Sequence, residues 1–376
     1  MFPYLFVFAI SIFSTYLAQI SLNRKNKVLF FVFSAIAILT PSLLAGFRDS
    51  GVGTDTKIYV DSVWNQFKHI QSWGQFYKYY KNDAFADIEF VYLLLNFVGS
   101  RFGTDVHIIY FLTSFVIVLF VYLTAYDNRK KAYMWLVMFV FLFGFYNQSL
   151  NLVRQTICLT LCLYGFKYLE EKKWIKFILL LIVIKYTHNT GIFYFGFIGA
   201  YILAVSKYKA KHLVLFTTLT CCVFIFMYFD YIVGLFVVLG ILPQKFLYYL
   251  SGDTINYVFV FIFHFAISMI LLVALIFNIK SNEKDKLISY MFLNLLGSIL
   301  ILTALVSVWS FRVAFYFLFI SECILLPRAL FLMRKHKLEY SILILLVVSM
   351  FFTYWFTTIA YYNENETYPY KSEILE

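Results

Sequence analysis

The chain has 376 residues, of which 62% are hydrophobic and 14% are charged, and its mean hydropathy is +0.79. Soluble domains are roughly 45–50% apolar and about 25% charged, so this composition excludes a soluble protein. The formal net charge of +11 lies in short basic clusters between apolar runs. That pattern orients membrane helices, and no nucleic acid is expected as a partner.

Apolar runs close to the length of a bilayer core recur along the whole chain. We predict an all-α, polytopic transmembrane helical bundle that forms a single membrane domain over residues 1–376. The first run lacks a cleavage site of signal-peptide type, so it is expected to be a retained span with its N-terminus outside. The predicted spans number about twelve, at residues 2–22, 28–46, 106–126, 133–148, 152–169, 174–187, 190–206, 213–229, 255–279, 287–306, 311–330 and 340–360.

Six connectors between these spans are basic, and all six can face the cytoplasm together. They contain Arg24, Lys25, Lys27, Arg129, Lys130, Lys131, Lys172, Lys173, Lys176, Lys207, Lys209, Lys211, Lys280, Lys284, Lys286, Arg334, Lys335 and Lys337. This orientation places residues 47–105, 230–254 and 362–376 outside. If the short apolar run at 87–101 crossed the membrane, every later basic connector would lie outside instead of in the cytoplasm. We therefore expect a half-helix or re-entrant piece on the outer side, with the protein covering its backbone.

Within the first outer segment, residues 63–85 mix Trp, Phe and Tyr with Lys at roughly helical spacing. The mixture is typical of an amphipathic helix that lies at the headgroup level of a membrane. A loop that simply packs its aromatic rings explains the same pattern equally well.

The five cysteines, Cys158, Cys162, Cys221, Cys222 and Cys323, all lie inside apolar runs. They are expected to be core residues rather than disulfides or metal ligands. There is no HExxH motif and no paired cluster of histidine and cysteine. The sequence therefore predicts neither a metal nor a cofactor.

Ionisable residues occur at or near the predicted outer ends of several spans, where basic residues oppose the usual charge bias. They are Arg48, Asp55, Arg154, Lys185, His188, Asp253 and Arg312. Ionisable residues at membrane depth are functional candidates. The three arginines together suggest an anion pocket, because guanidinium groups bind phosphate through paired hydrogen bonds. The alternative is that each arginine pairs with an internal acid such as Glu89, Asp55 or Glu322.

Two residues are candidates for a general base. His188 lies one helical turn from Lys185, whose like charge favours a neutral imidazole, although a lone histidine is more often structural. Asp55 lies in "VGTDT", where Gly51 and Gly53 allow the backbone to approach a ligand closely. No Gly-Lys-Ser/Thr follows, so this stretch is not a P-loop.

Several of these stretches resemble one family when they are taken in order. "FRDSGVGTDTKIYVDSV" is similar to the first outer loop of the EpsG/Wzy-type polysaccharide polymerases, with its Arg, its Val-Gly-Thr-Asp and a following Tyr. "NLVRQTICLTLCLYGFKYLEEKKW" resembles the Asn-x-x-Arg-Gln helix of that family. "YTHNTGIFYF", "FRVAFYFLFISECILLP" and the terminal "ETYPY" resemble its later segments.

The resemblance implies an O-antigen or exopolysaccharide polymerase, a glycosyltransferase in a bacterial cytoplasmic membrane with its active site on the outer face. The implied substrate is an undecaprenyl-pyrophosphate-linked oligosaccharide, whose growing chain moves to the non-reducing end of a new unit. Membrane lipid and a chain-length regulator protein are the implied partners. Arg48, Arg154 and Arg312, with Gln155, Tyr59, Tyr316 and Lys185, would bind substrate, and Asp55 or His188 would act in catalysis.

Two other functions fit much of the same pattern. A repeat-unit flippase or transporter would also place arginines near a lipid phosphate, but it should show internal repeats, and none is detected. A polyprenyl-linked glycosyltransferase or ligase of related architecture also carries an acidic first outer loop, so Asp55 does not exclude it.

Overall fold

The computed structural model describes residues 1–54, 56–81, 88–208, 210–241, 244, 247, 257–278, 283–305 and 311–374, with the side chains of residues 58, 212 and 226 excepted. Within these ranges the chain is helical and contains no strand, which confirms the predicted all-α bundle. Asp55, Lys209, Asp253, Lys280 and the first residue of the predicted half-helix lie outside the described residues.

The described chain forms two compact units, Met1–Gly191 with Phe351–Glu376, and Ile192–Met350. Each unit is described by itself below. The assignment of the whole chain to one membrane domain, and the orientation of its ends, stay predictions.

Long helices build the first unit. Helix α1 packs along α2, α2 along α6, and α6 along α9. The side chain of Asn26 caps α2 by accepting a hydrogen bond from the amide of Leu29. In this unit the long helices are α1 (Phe2–Asn23), α2 (Lys27–Gly46), α6 (His107–Asn128), α7 (Met134–Gly144), α9 (Val153–Glu170) and α10 (Trp174–Thr187); the short α8 is Tyr146–Asn151.

Between α2 and α6 the chain makes shorter helices. A π-helical turn at Thr56–Val60 leads into α3 (Asp61–Phe67), which is followed by α4 (Trp73–Lys81) and α5 (Phe90–Gly99). Helix α5 packs on α6. Ten helical residues rise only about 15 Å, half of a bilayer core of about 30 Å. The length of α5 therefore fits the predicted half-helix.

The second unit contains α11 (Tyr194–Val205), α12 (Lys211–Met227), α13 (Phe229–Val238), α14 (Tyr257–Phe277) and α15 (Lys284–Ile301). It continues with α16 (Phe311–Ile320), a π-helical segment at Ser321–Leu325, α17 (Leu326–Met333) and most of α18 (Lys337–Trp355). Helix α15 lies at its centre, in contact with α11, α12, α14 and α16.

The prediction of about twelve spans was too high. In the described part of the chain, seven helices are long and apolar enough to cross a membrane, or eight if the bent pair Leu213–Ile225 and Phe229–Val238 counts as one span. The other predicted runs form shorter or more polar helices. Helix α7 ends after only 11 residues, at Gly144, and α10 has 14. Helix α9 is long enough but carries Arg154, Gln155 and Lys167 among its polar residues.

Candidate functional site

The loop that follows α2 is paired with the C-terminal tail of the chain. The amide of Asp49 donates to the carbonyl of Lys371 at 3.0 Å, and the amide of Gly53 donates to the carbonyl of Glu366 at 2.9 Å. The carboxylate of Asp49 in turn accepts from the amide of Glu373 at 2.8 Å. The first and last motif segments of the chain, about 320 residues apart, therefore form one structure.

The tail is anchored to the first unit by buried hydrogen bonds. The backbone carbonyl of Thr367 accepts a hydrogen bond of 2.7 Å from the hydroxyl of Tyr4. The hydroxyl of Thr367 accepts a hydrogen bond of 2.9 Å from the side-chain amide of Asn147. The side-chain oxygen of Asn147 accepts from the indole of Trp355 at 2.8 Å. These bonds hold the tail over the ends of α1, α8 and α18.

Among the described residues of the loop, Gly53 is the one whose backbone conformation requires glycine. Its φ is +95°, in the left-handed region that side chains rarely adopt. A Cβ atom there would lie 3.0 Å from the carbonyl oxygen of Leu150. The loop can thus approach α8 closely only because this position has no side chain.

Arg48 lies beneath this loop and is 1% exposed. Its guanidinium lies 4.8 Å from the ring centroid of Tyr110 and donates a long hydrogen bond of 3.4 Å to the hydroxyl of Thr56. It forms no ion pair with any carboxylate that the structure describes, and its Nε has no hydrogen-bond partner there. Burial lowers the pKa of Arg48, although the hydroxyls of four surrounding tyrosines partly oppose this effect; they belong to Tyr110, Tyr146, Tyr4 and Tyr370. Arg48 is therefore an enclosed cation.

A carboxylate that sequence reasoning did not single out is connected to this cation through Tyr110. Asp61, the first residue of α3, accepts hydrogen bonds from the hydroxyls of Ser50 and Tyr110. Tyr110 therefore contacts both the guanidinium of Arg48 and the carboxylate of Asp61.

A second charged group is centred on Glu89, just before α5. Its Oε2 lies 2.6 Å from Nη1 of Arg154, and its Oε1 accepts from the amide of Asn189 at 3.1 Å. The Nε2 atom of His188 lies 4.0 Å from the same Oε1. The guanidinium of Arg154 also lies 5.7 Å from the ring centroid of Tyr59. Four separate chain segments meet here, and the side chain of Arg154 keeps 21% of its surface exposed while that of Glu89 keeps 8%.

The hydrogen bonds of His188 assign its tautomer. Its Nδ1 accepts from the backbone amide of Thr190 at 3.1 Å and lies 2.7 Å from the hydroxyl of the same residue. A neutral His188 therefore carries its proton on Nε2, the atom that faces Glu89. In this tautomer the nitrogen that lies 4.0 Å from Oε1 of Glu89 is the protonated one, so the carboxylate is the side of the pair with an acceptor atom.

Tyr92 on α5 connects the two charged groups. Its side chain is 1% exposed, and its hydroxyl lies within electrostatic range of Arg154, Arg48 and Asp61. That hydroxyl faces the side chain of Asn96, one turn further along α5, whose oxygen has no hydrogen-bond partner among the described residues. Arg48 and Arg154 thus act on one buried, polar region of the first unit.

The second unit contains a sealed polar network at the middle of three helical segments. Glu322 is 0% exposed, and its Oε1 lies 2.5 Å from Nδ1 of His264 and accepts from Asn294 at 3.3 Å. The side-chain oxygen of Asn294 accepts from Ser268 at 2.7 Å. Glu322 lies in the π-helical segment, a local geometry that often accompanies functional positions.

Comparison with known families agrees with the motifs that meet in this structure. A family model described as the EpsG family matches residues 31–372, which is nearly the whole chain. The chain belongs to the EpsG family. Comparisons with curated proteins and with solved structures gave no match. Family membership, together with the long apolar helices, supports a multi-pass membrane enzyme of the polysaccharide-polymerase type that acts on lipid-linked sugar.

The EpsG-family chain brings together part of the predicted set. Arg48, Arg154, Tyr59 and His188 lie in the first unit around the two charged groups. Gln155 follows Arg154 on α9 with a side chain that is 2% exposed, and Lys185 is exposed on α10. Arg312 and Tyr316 lie on α16 in the second unit, where Tyr316 is fully buried. Their roles, like that of Asp55, stay predictions.

Glu89 and Asp61 are the residues that the sequence analysis of this EpsG-family chain undervalued. Glu89 was considered only as an internal partner for an arginine, and Arg154 does pair with it. Asp61 lies six residues after Asp55 in the same quoted stretch, so a survey of every carboxylate in that loop would have included it. Within the described residues, no group of three His, Cys, Asp or Glu side chains could hold a metal ion. The absence of a metal stays a prediction.

Proposed function

We propose that this protein polymerises oligosaccharide repeat units carried on undecaprenyl pyrophosphate, as an O-antigen or exopolysaccharide polymerase. The growing chain would move from its lipid carrier to the non-reducing end of a new lipid-linked unit. The reaction would take place at the outer face of a bacterial cytoplasmic membrane, with a chain-length regulator as the protein partner. The observation that carries this proposal is the meeting of Arg154, Glu89 and His188 in a chain that the EpsG model covers almost completely.

The leaving group of this reaction is a lipid pyrophosphate, so its departure requires positive charge where phosphate charge develops. Arg154 suits this role because it is partly exposed and its charge is held in place by Glu89. An incoming pyrophosphate would compete with Glu89 for the guanidinium and form the stronger paired contact. Arg48 would add to the local positive potential from its enclosed position, without direct contact in the closed loop.

The acceptor is a sugar hydroxyl, which must lose a proton as its oxygen attacks the anomeric carbon of the donor. Once pyrophosphate takes the guanidinium of Arg154, the carboxylate of Glu89 is free to accept that proton. His188 lies next to this carboxylate, with its Nε2 4.0 Å from Oε1, and Asp55 remains the alternative base. The new glycosidic bond forms as the bond between the anomeric carbon and the phosphate oxygen breaks.

Reconstitution tests the proposal directly. The purified protein in liposomes would be supplied with synthetic undecaprenyl-pyrophosphate repeat units, with and without a chelator, and the products would be separated by length. We expect a ladder of polymers in both conditions. Unchanged single units would reject the polymerase function, whereas a ladder lost only with the chelator would reject the metal-free mechanism.

A further inference from the structure

Tyr59 is an exposed aromatic residue on a turn that is anchored to the protein interior. It lies in the π-helical turn Thr56–Val60, a local geometry that often accompanies functional positions, and it is 43% exposed. The side chains of Thr56 and Val60 on either side are buried, and the hydroxyl of Thr56 donates to the carbonyl of Leu150 on α8 at 3.3 Å. Interior contacts therefore fix the turn and leave the ring of Tyr59 exposed at a defined place.

That place is beside the partly exposed cation of the candidate site. The guanidinium carbon of Arg154 lies over the ring of Tyr59, 5.7 Å from the ring centroid. The same guanidinium contacts the carboxylate of Glu89 through Nη1. Arg154 is thus flanked by an acid and by an aromatic ring, and both the cation and the ring keep part of their surface open to solvent.

A guanidinium and an exposed aromatic ring side by side offer a ligand two different contacts. The guanidinium binds phosphate oxygens through paired hydrogen bonds. The ring offers an apolar face that carries partial negative charge, which attracts the slightly positive hydrogens of C–H bonds. A sugar ring has such C–H bonds on its faces, and its hydroxyls point outward to polar groups. The pair of Arg154 and Tyr59 therefore suits a sugar that is joined to a phosphate.

The covalent structure of the proposed substrate has a sugar at this position. In a lipid-linked repeat unit the first sugar is joined to phosphorus through a single bridging oxygen. Its anomeric carbon is the atom that reacts. A pyrophosphate bound by Arg154 must therefore hold this sugar beside the guanidinium, where the structure places Tyr59 and Glu89.

The two neighbours of the guanidinium suit different parts of the reaction. Glu89 is a carboxylate, and in the proposed reaction it receives the proton of the incoming hydroxyl. Tyr59 offers an aromatic ring, which suits the face of the sugar and keeps it in place while the attacking group approaches. The sugar of the donor is therefore matched to Tyr59 by chemistry and by its attachment to the phosphate.

We infer that Tyr59 forms a sugar subsite, on which the first sugar of the donor packs one face of its ring while Arg154 binds the adjoining pyrophosphate. The ligand class is a pyranose with a continuous C–H face, attached to a prenyl pyrophosphate. The contact requires the aromatic ring of Tyr59 and not its hydroxyl. This inference rests on the proposed function, because it needs the pyrophosphate of the donor at Arg154.

The test measures binding instead of polymerisation. The full-length protein in nanodiscs is titrated by calorimetry with a short-chain prenyl pyrophosphate and with the same lipid bearing one sugar, taken from a panel of hexoses and N-acetylhexosamines. The ratio of the two Kd values gives the contribution of the sugar. The variants are Tyr59→Ala and Tyr59→Phe. The matched control is Tyr79→Ala, because Tyr79 on α4 has nearly the same exposure, 46%.

We expect at least one sugar of the panel to bind the parent protein more tightly than the bare lipid does. Tyr59→Ala should weaken binding of that sugar-bearing lipid by about tenfold, the usual worth of packing on an aromatic ring, and leave binding of the bare lipid unchanged. Tyr59→Phe should bind both lipids like the parent protein, and so should Tyr79→Ala. Arg154→Ala should weaken binding of both lipids, because each carries the pyrophosphate.

Three results would overturn the inference. In the first, no sugar of the panel improves on the bare lipid. In the second, Tyr59→Ala weakens both lipids equally or neither of them, so that Tyr59 only positions Arg154 or lies outside the site. In the third, Tyr59→Phe binds as weakly as Tyr59→Ala, and a hydrogen bond from the hydroxyl replaces packing on the ring.

The same experiment separates this inference from the proposed function. Sugar-dependent binding through Tyr59 without a polymer ladder in liposomes would reject the polymerase reaction and leave the sugar subsite in place. A ladder from a parent protein that shows no sugar-dependent binding would do the reverse.

Discussion

Each unit of the molecule contains a buried carboxylate beside a histidine, and the two pairs differ in what surrounds them. In the first unit Glu89 lies 4.0 Å from His188 and also binds Arg154, which keeps 21% of its surface exposed. In the second unit Glu322 lies 2.5 Å from His264, is 0% exposed, and shares its contact oxygen with Asn294.

The difference lies in the source of each group and in its access to solvent. The Glu89 group is assembled from residues at helix ends and connectors, so a ligand can reach a cation that is already in place. The Glu322 group is built from residues in the middle of helical segments, where an unpaired charge would be costly. We propose that the buried acid–base pair serves substrate chemistry in the first unit and helix packing in the second. The following changes test that division, beginning with the largest expected effect.

Removal of Glu322 should affect stability and spare the chemistry. Glu322→Ala leaves the ring of His264 and the amide of Asn294 without their shared acceptor in the bundle interior, so we expect a loss of about 3–5 kcal/mol. Glu322→Gln keeps a side-chain oxygen at the same place and should cost less. Thermal melting in detergent measures this effect, and polymer formed per folded molecule should stay near that of the parent protein. An unchanged melting temperature with no polymer would reverse the assignment.

Removal of Arg154 should have the opposite signature. Arg154→Ala should reduce polymerisation by about 10²–10³-fold, the usual loss when a charge-stabilising donor is removed. Arg154→Lys should recover little of this activity because an ammonium group cannot form the paired contact with phosphate. The rate is measured on reconstituted protein with lipid-linked repeat units. Arg24→Ala, at an exposed connector position, is the matched control and should polymerise normally. Full activity in Arg154→Ala would remove this residue from the mechanism.

Substitution of Gly53 tests whether the stability of the protein depends on the backbone conformation of the loop next to Arg48. Gly53→Ala forces a left-handed backbone on alanine and brings Cβ to 3.0 Å from the carbonyl of Leu150, so we expect a loss of about 1–3 kcal/mol. Gly51 is two residues away, and a Cβ atom added there meets no atom within 4 Å. Gly51→Ala should therefore melt like the parent protein. Equal melting temperatures for the two variants would show that the pairing of loop and tail does not constrain this backbone.

Glu364 provides a pH test of the tail, which lies outside the membrane helices. Burial raises the pKa of its carboxyl from 4.5 to about 7. The folded chain therefore binds this proton more tightly than the unfolded chain. The resulting stability is fully present below about pH 4.5 and is lost as the pH rises through about 7. Glu364→Gln should make the melting temperature nearly independent of pH between these limits. At pH 8 the variant should melt at a higher temperature than the parent protein, which corresponds to a gain in stability of about 1–2 kcal/mol. Glu373→Gln, at an exposed position of the same tail, is the control. A parent profile that rises towards pH 8 would contradict the sign.

Local hydropathy patterns predicted the positions of the helices well. They predicted the number of membrane-spanning helices poorly. Helices occur at each predicted run that the structure describes, because a backbone in lipid must satisfy its hydrogen bonds within the helix. The count failed where a run is interrupted. Helix α7 ends at Gly144 and the chain turns through α8 before α9 begins at Val153, so the runs at 133–148 and 152–169 are not two simple spans. Hydropathy does not register such breaks, which are set by packing of residues such as Tyr146 against α1.

The sequence predicted which residues belong to the candidate site, but it did not predict which of them contact one another. The sequence indicated Arg48, Arg154, Tyr59 and His188 because charged and aromatic residues at the ends of apolar runs are conspicuous. It offered Glu89 only as one of three possible acids for any arginine. Distance along the chain is the reason, since Glu89 and Arg154 are 65 residues apart and no local rule joins them.

Composition and periodicity by themselves determined that this is a helical membrane protein, and the ordered motifs indicated its family. Those properties depend on hydrophobicity and local backbone geometry, which short stretches of sequence encode. Only the tertiary structure decided that the tail covers the first loop, that Arg48 is enclosed by tyrosines, and that Glu89 meets Arg154 and His188. These arrangements depend on which helix ends become neighbours, and the packing of the whole bundle sets them because a buried polar group must find its partner wherever the fold places one.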